Sequence, residues 1–357
     1  MSDPQTNSTE PIPEGCGDED LLRLIDLCPF LASERSRYDD DAVRAILLRN
    51  PRVARLRRTT YRCGIGNGPN GGAHPLALVV GLGGSIDVVV RMVEACPIAL
   101  GRRLSGRRNV LHYAIAEGAN VDVIRYLASR MPSLVTEVDS FGALPLHLAS
   151  TYFPSSSPLV LLHLLGLHPE AARAVDNKSR TPLHRACASR ASMEKVLALI
   201  EAYPPALFMN DWMRTTPLGN AESMHQRLSE PMPAVIEVLG MAMDILGTNE
   251  DDDDVAPPSS SALYDGNDHV AGIVVDGGRG GGEGGDGDRA RRILEHFRTI
   301  RWRGGIRLAF ARNVRLVSML DLPVAVLPRL LSLLDTEGVY SLLVHRPDVV
   351  RGCSIKR

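Results

Sequence analysis

Three histidines recur at similar intervals and are the residues best suited to bind a metal ion or to move a proton. His112, His147 and His184 lie 35 and 37 residues apart. Because they recur once per repeating unit, a whole unit separates each from the next, which is a poor arrangement for a shared metal ion. A second pair, His163 and His168, lacks the i, i+4 spacing of two zinc ligands on one helix. No acid or cysteine completes that pair into a site, so we expect neither a metal nor another cofactor.

Two glycine-rich segments, 64–72 and 277–285, are candidates for a phosphate-binding loop. A P-loop needs the pattern GxxxxGK[ST], and neither segment supplies its lysine. The chain also contains no GxSxG pattern, no HExxH pattern and no Cys–His signature of a nucleophilic enzyme. We therefore predict that the protein is not an enzyme.

Nearly all basic residues are arginine, whose planar guanidinium binds phosphates and carboxylates alike. They cluster in two parts of the N-terminal half and again at 289–303. The last cluster contains Phe297 and Trp302 and could contact RNA or DNA, pair with the acidic segment before it, or remain solvated. Nucleic-acid contact through residues 289–315 is therefore one alternative function.

The composition favours helices. Of 357 residues, 44% are hydrophobic but only 4% are aromatic, whereas β-sheets are enriched in β-branched and aromatic residues. The formal net charge of −2 excludes a uniformly basic nucleic-acid binder. The six cysteines form no CxxC pair, and no apolar stretch has the length of a membrane span. We expect reduced thiols, no membrane contact and a cytoplasmic location, with the nucleus as the alternative.

A short apolar motif recurs five times along the chain. Its leucines are 35, 35, 37 and 35 residues apart: Leu76, Leu111, Leu146, Leu183 and Leu218. A proline follows the motif in each of the first four units: Pro97, Pro132, Pro169 and Pro204. The interval from motif to proline is 22 residues except in the third unit, where it is 24 and where 153-FPSSSP-158 indicates a small insertion. Two landmarks that shift together indicate an internal repeat.

Each unit is predicted to form two helices joined by a turn. In the second unit, apolar residues at helical spacing are interrupted by Gly118 and end before Pro132. The residue before a proline is pushed out of the α region, so the proline ends the second helix. Thr181 and Thr216 are suited to cap the first helices. One helix pair cannot bury both of its faces, so neighbouring units should stack into an all-α solenoid.

Three of the motifs resemble the start of an ankyrin repeat: 109-NVLHYA-114, 144-LPLHLA-149 and 181-TPLHRA-186. The second unit continues with 117-EGANV-121, where that family has its inter-helix turn. The resemblance covers about residues 70–246 and implies an ankyrin-like helix-turn-helix solenoid of about five repeats. The chain differs from the family in its period of about 35 rather than 33 residues, in the proline after the second helix, and in Ala77 and Gly219, which replace histidine in the outer units.

The resemblance implies roles for two sets of polar residues. The motif histidines His112, His147 and His184 would hydrogen-bond at the start of their helix and to the neighbouring repeat. Three aspartates would brace the turn that protrudes before each first helix: Asp139, Asp176 and Asp211. The resemblance also implies a general binding scaffold.

Composition and periodicity predict the remaining domains. Residues 20–60 are expected to form an N-terminal cap of an array that spans 20–246. Residues 1–19 and 247–288 are acidic, the latter with a net charge of −10, and we expect both to be disordered. Residues 289–357 carry a net charge of +9 and regain helical periodicity, which predicts a small arginine-rich helical module.

Within that module, 322-LPVAVLPRLLSLLD-335 resembles the start of an F-box. The matching positions are Leu322, Pro323, Leu327, Leu330, Leu331 and Leu334. This second resemblance implies a substrate adaptor of a ubiquitin ligase, with the array selecting the substrate. It is the other alternative function.

The favoured function is a non-catalytic scaffold that binds a protein partner on the concave face of the array, formed by the turns and first helices. Seven residues at the turns are candidates for partner contact: Arg107, Arg108, Phe141, Lys178, Arg180, Trp212 and Arg214. Trp212, with Met213 and Arg214 beside it, has the composition of an interface anchor, although its ring could instead pack on the adjacent turn. We expect the protein to act as a monomer.

Overall fold

The computed structural model describes residues 18–29, 31–56, 75–151, 157–227, 233–246 and 285–312. Within these ranges all regular secondary structure is helical, which confirms the predicted all-α fold. The chain divides into two compact units, residues 1–233 and 234–357. The division falls inside the segment 20–246 that the sequence predicts as one array. None of the helices in the described ranges is both long and apolar enough to cross a membrane.

The first unit opens with three helices: α1 (Asp18–Ile25), α2 (Ala32–Arg35) and α3 (Asp40–Arg49). Each repeat then begins with a first helix: α4 (Pro75–Leu82), α6 (Val110–Ala116), α8 (Pro145–Ala149), α10 (Pro182–Ala188) and α12 (Pro217–Arg227). The second helices are α5 (Ile86–Ala95), α7 (Val121–Arg130), α9 (Pro158–Leu167) and α11 (Met193–Ala202).

The helices of this unit pack in two parallel rows. The first helices contact one another in the order α4, α6, α8, α10 and α12, and the second helices contact one another in the order α5, α7, α9 and α11. α1 packs on α4 and α3 packs on α5. The N-terminal helices therefore extend both rows by one position, and each repeat buries its apolar faces against its neighbours.

The helix boundaries follow the local chemistry that the sequence predicts. Thr181 is the N-cap of α10, and its hydroxyl accepts a hydrogen bond from the backbone N–H of His184 at 3.4 Å. Gly118, with φ of 70°, follows the end of α6. α7 ends at Arg130, one residue before Met131, whose φ and ψ of −144° and 85° are not helical.

A feature missing from the sequence prediction follows each landmark proline. A short 3₁₀ helix begins at each of them: Pro97–Ala99, Pro132–Val135, Pro169–Arg173 and Pro204–Phe208. A further 3₁₀ helix, Pro51–Arg55, follows α3. Proline has a fixed φ near −65° and no N–H, so it suits the first position of a new helix as well as the end of an old one. Each 3₁₀ helix buries an apolar residue, such as Leu134 or Leu207, so these segments form part of the core.

The second unit contains three described helices: α13 (Pro233–Leu246), α14 (Gly285–Thr299) and α15 (Arg303–Arg312). α14 begins at Gly285, inside the segment 247–288 that the sequence predicts as a disordered linker. Aspartate is favoured in the first turn of a helix by the helix dipole, and the prediction gave too much weight to the acidic, glycine-rich composition here. Phe297 and Trp302 pack edge to face, with ring centroids 4.6 Å apart and planes at 66°.

Candidate interaction surface

Four tight turns precede the first helices of successive repeats. They span residues 104–108, 139–143, 176–180 and 211–215, called here the first to fourth turns. In each turn the N–H of the first residue donates to the carbonyl of the fifth residue, at 2.7–3.0 Å. Each turn is thereby closed at its base.

Backbone hydrogen bonds also join each turn to the next. The N–H of Ser140 donates to the carbonyl of Gly106 at 2.8 Å, and the N–H of Asn177 donates to that of Phe141 at 2.9 Å. The N–H of Trp212 donates to the carbonyl of Lys178 at 3.0 Å. The four turns therefore form one continuous row rather than four independent loops.

The three aspartates named in the sequence analysis hold the turns from inside. Oδ1 of Asp139 accepts hydrogen bonds from the N–H groups of Phe141 at 2.8 Å and Ala143 at 2.9 Å. Asp176 and Asp211 accept the corresponding pairs in the third and fourth turns. All three aspartates are at most 7% exposed, so their carboxylates are not available to a ligand.

The motif histidines connect each repeat to the next. At His147, Nδ1 accepts a hydrogen bond from the N–H of Leu144 at 3.1 Å, and Nε2 lies 3.1 Å from the carbonyl of Arg180, to which it can only donate. Nε2 of His112 contacts the carbonyl of Ala143 at 2.9 Å in the same way. The third motif histidine, in α10, contacts the carbonyl that precedes the fourth turn.

Burial keeps these imidazoles neutral. Desolvation lowers the pKa of His147 to about 4, with a further contribution from the nearby Arg185 guanidinium. Desolvation also lowers the pKa of His112 and that of His184. A buried neutral ring with both nitrogens engaged has no role in proton transfer at neutral pH. Across the described ranges, no group of three or more His, Cys, Asp or Glu side chains is arranged to hold a metal ion.

Two of the seven predicted contact residues hold the turns together instead of pointing outward. Arg180 binds Oδ2 of Asp176 through Nε at 3.0 Å and a terminal nitrogen at 2.8 Å, and Arg185 does the same at equal distances. Burial alone would raise the pKa of Asp176, but these hydrogen bonds lower it to about 2. Arg108 lies 3.7 Å from the buried carboxylate of Asp139. Arg108 and Arg180, both predicted to contact a partner, are half-buried and take part in these ion pairs.

The other five predicted contact residues are exposed on the row of turns. Phe141 and Trp212 are each 59% exposed, and Met213, which the prediction did not include among the candidates, is 64% exposed. Nζ of Lys178 lies 5.3 Å from the centroid of the Trp212 ring, so a cation–π contact joins the third and fourth turns. We call the exposed residues of the four turns the turn-tip surface: Ser105, Gly106, Arg107, Ser140, Phe141, Asn177, Lys178, Ser179, Trp212, Met213 and Arg214.

Two cations of the turn-tip surface occupy strained backbone positions. Arg107 and Arg214 have φ of 56° and 59°, in the left-handed region, which costs an L-residue roughly 1–2 kcal/mol. At the same position the second turn has Gly142, with φ of 69°. Ser179 of the third turn, with φ of 53°, occupies the same position. The left-handed φ is thus common to all four turns and follows from the shape of the turn, so glycine would serve the fold at each of these positions.

Two buried groups that could act as nucleophiles were not singled out in the sequence. Lys195 is 3% exposed, and burial lowers its pKa to about 8. Its Nζ donates to the carbonyl of Thr151 at 3.1 Å, just before the insertion at 153–158. Burial raises the pKa of the Cys187 thiol to about 12, which makes this cysteine unreactive. Lys195 thus anchors the chain at Thr151, shortly after the end of α8, and Cys187 belongs to the core.

The structure describes most of the arginine-rich segment 289–315 but none of the F-box-like segment. Five arginines of α14, α15 and the turn between them are exposed: Arg292, Arg298, Arg301, Arg303 and Arg307. Phe297 and Trp302 are 1% and 3% exposed, so neither ring is available to stack on a nucleobase. The F-box-like segment 322–335 lies outside the described residues.

No protein-family model and no curated protein matches this chain. It is similar to one chain of a solved structure that contains a predatory endopeptidase from Bdellovibrio bacteriovorus in complex with an immunity protein, with a TM-score of 0.44 and 16% sequence identity. The match covers 62% of this chain and 97% of that chain. At this score the similarity carries no argument about what the present chain does.

Proposed function

We propose that this chain is a non-catalytic scaffold with an ankyrin-like array, and that its turn-tip surface binds a protein partner. The observation that carries the proposal is the exposure of three large apolar side chains on one hydrogen-bonded row of turns, Phe141 on the second turn and Trp212 and Met213 on the fourth. Exposed apolar surface marks interaction sites, and tryptophan is enriched among the residues that dominate binding energy.

The rigidity of the turns supports the same proposal. Each turn is closed by a backbone hydrogen bond, joined to its neighbour and braced by a buried carboxylate in three cases. A partner would therefore meet side chains whose backbone is already ordered, which reduces the entropic cost of association.

A non-catalytic function fits the state of the groups that could do chemistry. The imidazole of His147 has both ring nitrogens engaged, and the Cys187 thiol is protonated and buried. Lys195 is enclosed and hydrogen-bonded to a backbone carbonyl. None of these groups lies among the exposed residues of the turn-tip surface.

The test is affinity purification of the full chain from its native cells, compared with a Phe141→Ser/Trp212→Ser variant. We expect at least one protein to be recovered with the wild type and reduced more than tenfold with the variant, because truncating a central aromatic anchor removes much of the binding energy. Nuclease treatment should leave the recovery unchanged.

A matched control changes two exposed apolar residues away from the turns, Leu48→Ser/Ile98→Ser, which are 60% and 63% exposed. The control should retain the partner. Equal recovery with the turn variant and the wild type would refute a role for the turn-tip surface. Loss of every partner on nuclease treatment would move the function to the exposed arginines of α14 and α15.

A further inference from the structure

We propose that the turn-tip surface selects an acidic segment of its partner that carries apolar side chains between its carboxylates. This inference rests on the proposed function and specifies the chemistry of the ligand. It follows from the charges of the surface and from their order along the row of turns.

The exposed part of the four turns is cationic. Its charged residues are Arg107, Lys178 and Arg214, and its eleven exposed residues include no acid. The acids of these turns are the three bracing aspartates, which are buried and hydrogen-bonded to backbone N–H groups. Behind Lys178, two guanidiniums share the single carboxylate of Asp176, which leaves an additional positive charge close to the surface.

Cationic and apolar groups alternate along the row. The first turn presents Arg107, the second Phe141 and the third Lys178, and the fourth presents Trp212 and Met213 beside Arg214. The hydrogen bonds between successive turns fix this order. A partner segment that lies along the row would match this order if carboxylates and apolar side chains alternate along it. Charge complementarity of this kind favours one partner over others and accelerates encounter.

The apolar positions favour a polypeptide over a phosphate polymer. Phe141 and Met213 offer no hydrogen-bond donor and become favourable contacts only against apolar atoms. One face of the Trp212 ring is approached by Lys178, so the remaining surface of this ring suits an apolar side chain better than a continuous base stack. Three exposed cations are also few for a ligand that binds through its phosphates.

The left-handed residues provide a variant that removes charge without harming the fold. Arg107→Gly and Arg214→Gly relieve the unfavourable φ, and Gly142 shows that the second turn already uses glycine at this position. We expect the double variant to be at least as stable as the wild type, with a melting temperature that is unchanged or higher. Any loss of binding then reports the missing guanidiniums and not unfolding.

The experiment selects binders to the full chain from a random 16-residue peptide library displayed on phage. Enriched peptides are then synthesised and titrated by fluorescence anisotropy at 50 and 300 mM salt. We expect enrichment of Asp and Glu together with Leu, Phe or Trp. Affinity should fall about tenfold in the variant Arg107→Gly/Lys178→Gln/Arg214→Gly and several-fold at the higher salt, since exposed charges are screened. A control that removes three exposed arginines elsewhere, Arg49→Gln/Arg52→Gln/Arg130→Gln, should leave the affinity unchanged.

The outcomes separate this inference from the proposed function. Neutral or basic peptides that still require Phe141 and Trp212 would overturn the acidic specificity and leave the surface as a protein-binding site. Peptides indifferent to both the charge and the aromatic variants would overturn both proposals. Absence of enrichment, or displacement of the peptides by a 16-nucleotide single-stranded DNA at equal concentration, would also reject an acidic polypeptide as the ligand.

Discussion

Two regions of this chain combine tryptophan, phenylalanine and cationic residues, but the aromatic side chains are exposed in one region and buried in the other. On the turns, Trp212 and Phe141 are each 59% exposed, whereas Trp302 and Phe297 of the C-terminal helices are 3% and 1% exposed. The turns bury their aspartates, while the described arginines of α14 and α15 lie on the surface. An aromatic side chain near basic residues is thus part of a surface in one region and part of a core in the other.

The cause of the difference is the local backbone. A turn closed by its own hydrogen bonds and braced by an aspartate is stable without its outermost side chains, so these can face solvent. A helix pair has no comparable source of stability and must bury an apolar stripe. An exposed aromatic residue is therefore compatible with a stable turn, whereas in α14 or α15 it would remove part of the core.

The largest expected effect concerns the buried aromatic residues of the C-terminal helices. Trp302→Ala should destabilise the second unit by about 3–5 kcal/mol, the usual cost of truncating a buried aromatic residue. Hydrogen–deuterium exchange of the full chain would measure it as lost protection of amides within 285–312. Trp302→Phe, which keeps an aromatic ring against Phe297, should retain most of the protection. Unchanged exchange in the alanine variant would show that this ring is not a core residue.

An intermediate effect tests the buried polar groups of the array. The pKa of His147 is about 4 in the folded protein and about 6.5 when unfolded. The native state therefore binds fewer protons than the unfolded state between these values, and stability is complete above pH 6.5 and is lost as the pH falls toward 4. We expect His147 alone to contribute a loss of about 2 kcal/mol by pH 5, with His112 and His184 acting in the same direction.

Urea unfolding at pH 7.5, 6.0 and 5.0 would measure this loss. A His147→Gln variant provides the control, because its neutral amide cannot titrate in this range. The variant should be less stable than the wild type at pH 7.5 but should lose less stability on acidification. Parallel pH dependence in the two proteins would exclude His147 as a source of acid sensitivity.

Much of the array could be predicted from the sequence because its signals are local. The spacing of apolar residues, Gly118 and the cap at Thr181 each act on the backbone within a few residues, and the structure follows them. The 3₁₀ helices after the landmark prolines were missed although their signal was present, since a proline that ends one helix can also begin another.

The direction of long side chains could not be predicted in the same way. The positions of Arg107 and Arg180 in their turns are readable from the repeat, yet one is exposed and the other folds back onto Asp176. That choice depends on Arg185, nine residues from the aspartate, and on the burial of the carboxylate between repeats. The pairing is a tertiary property, and only the periodic framework was available from the sequence.

The smallest expected effect on stability comes from Trp212, and it tests the exposed side of the comparison. Trp212→Ala removes a ring that is 59% exposed and a cation–π contact worth about 0.5–1 kcal/mol at an exposed site, so the free energy of unfolding should change by less than about 1 kcal/mol. The chain has only two tryptophans, so Trp212→Phe and Trp302→Phe each leave a single emitting ring. Acrylamide should quench Trp212 strongly and Trp302 several-fold less, and Trp212 should emit at the longer wavelength. If Trp212 proved as protected as Trp302, its ring would be packed against the adjacent turn, and the exposed apolar residues that carry the proposed function would lose their largest member.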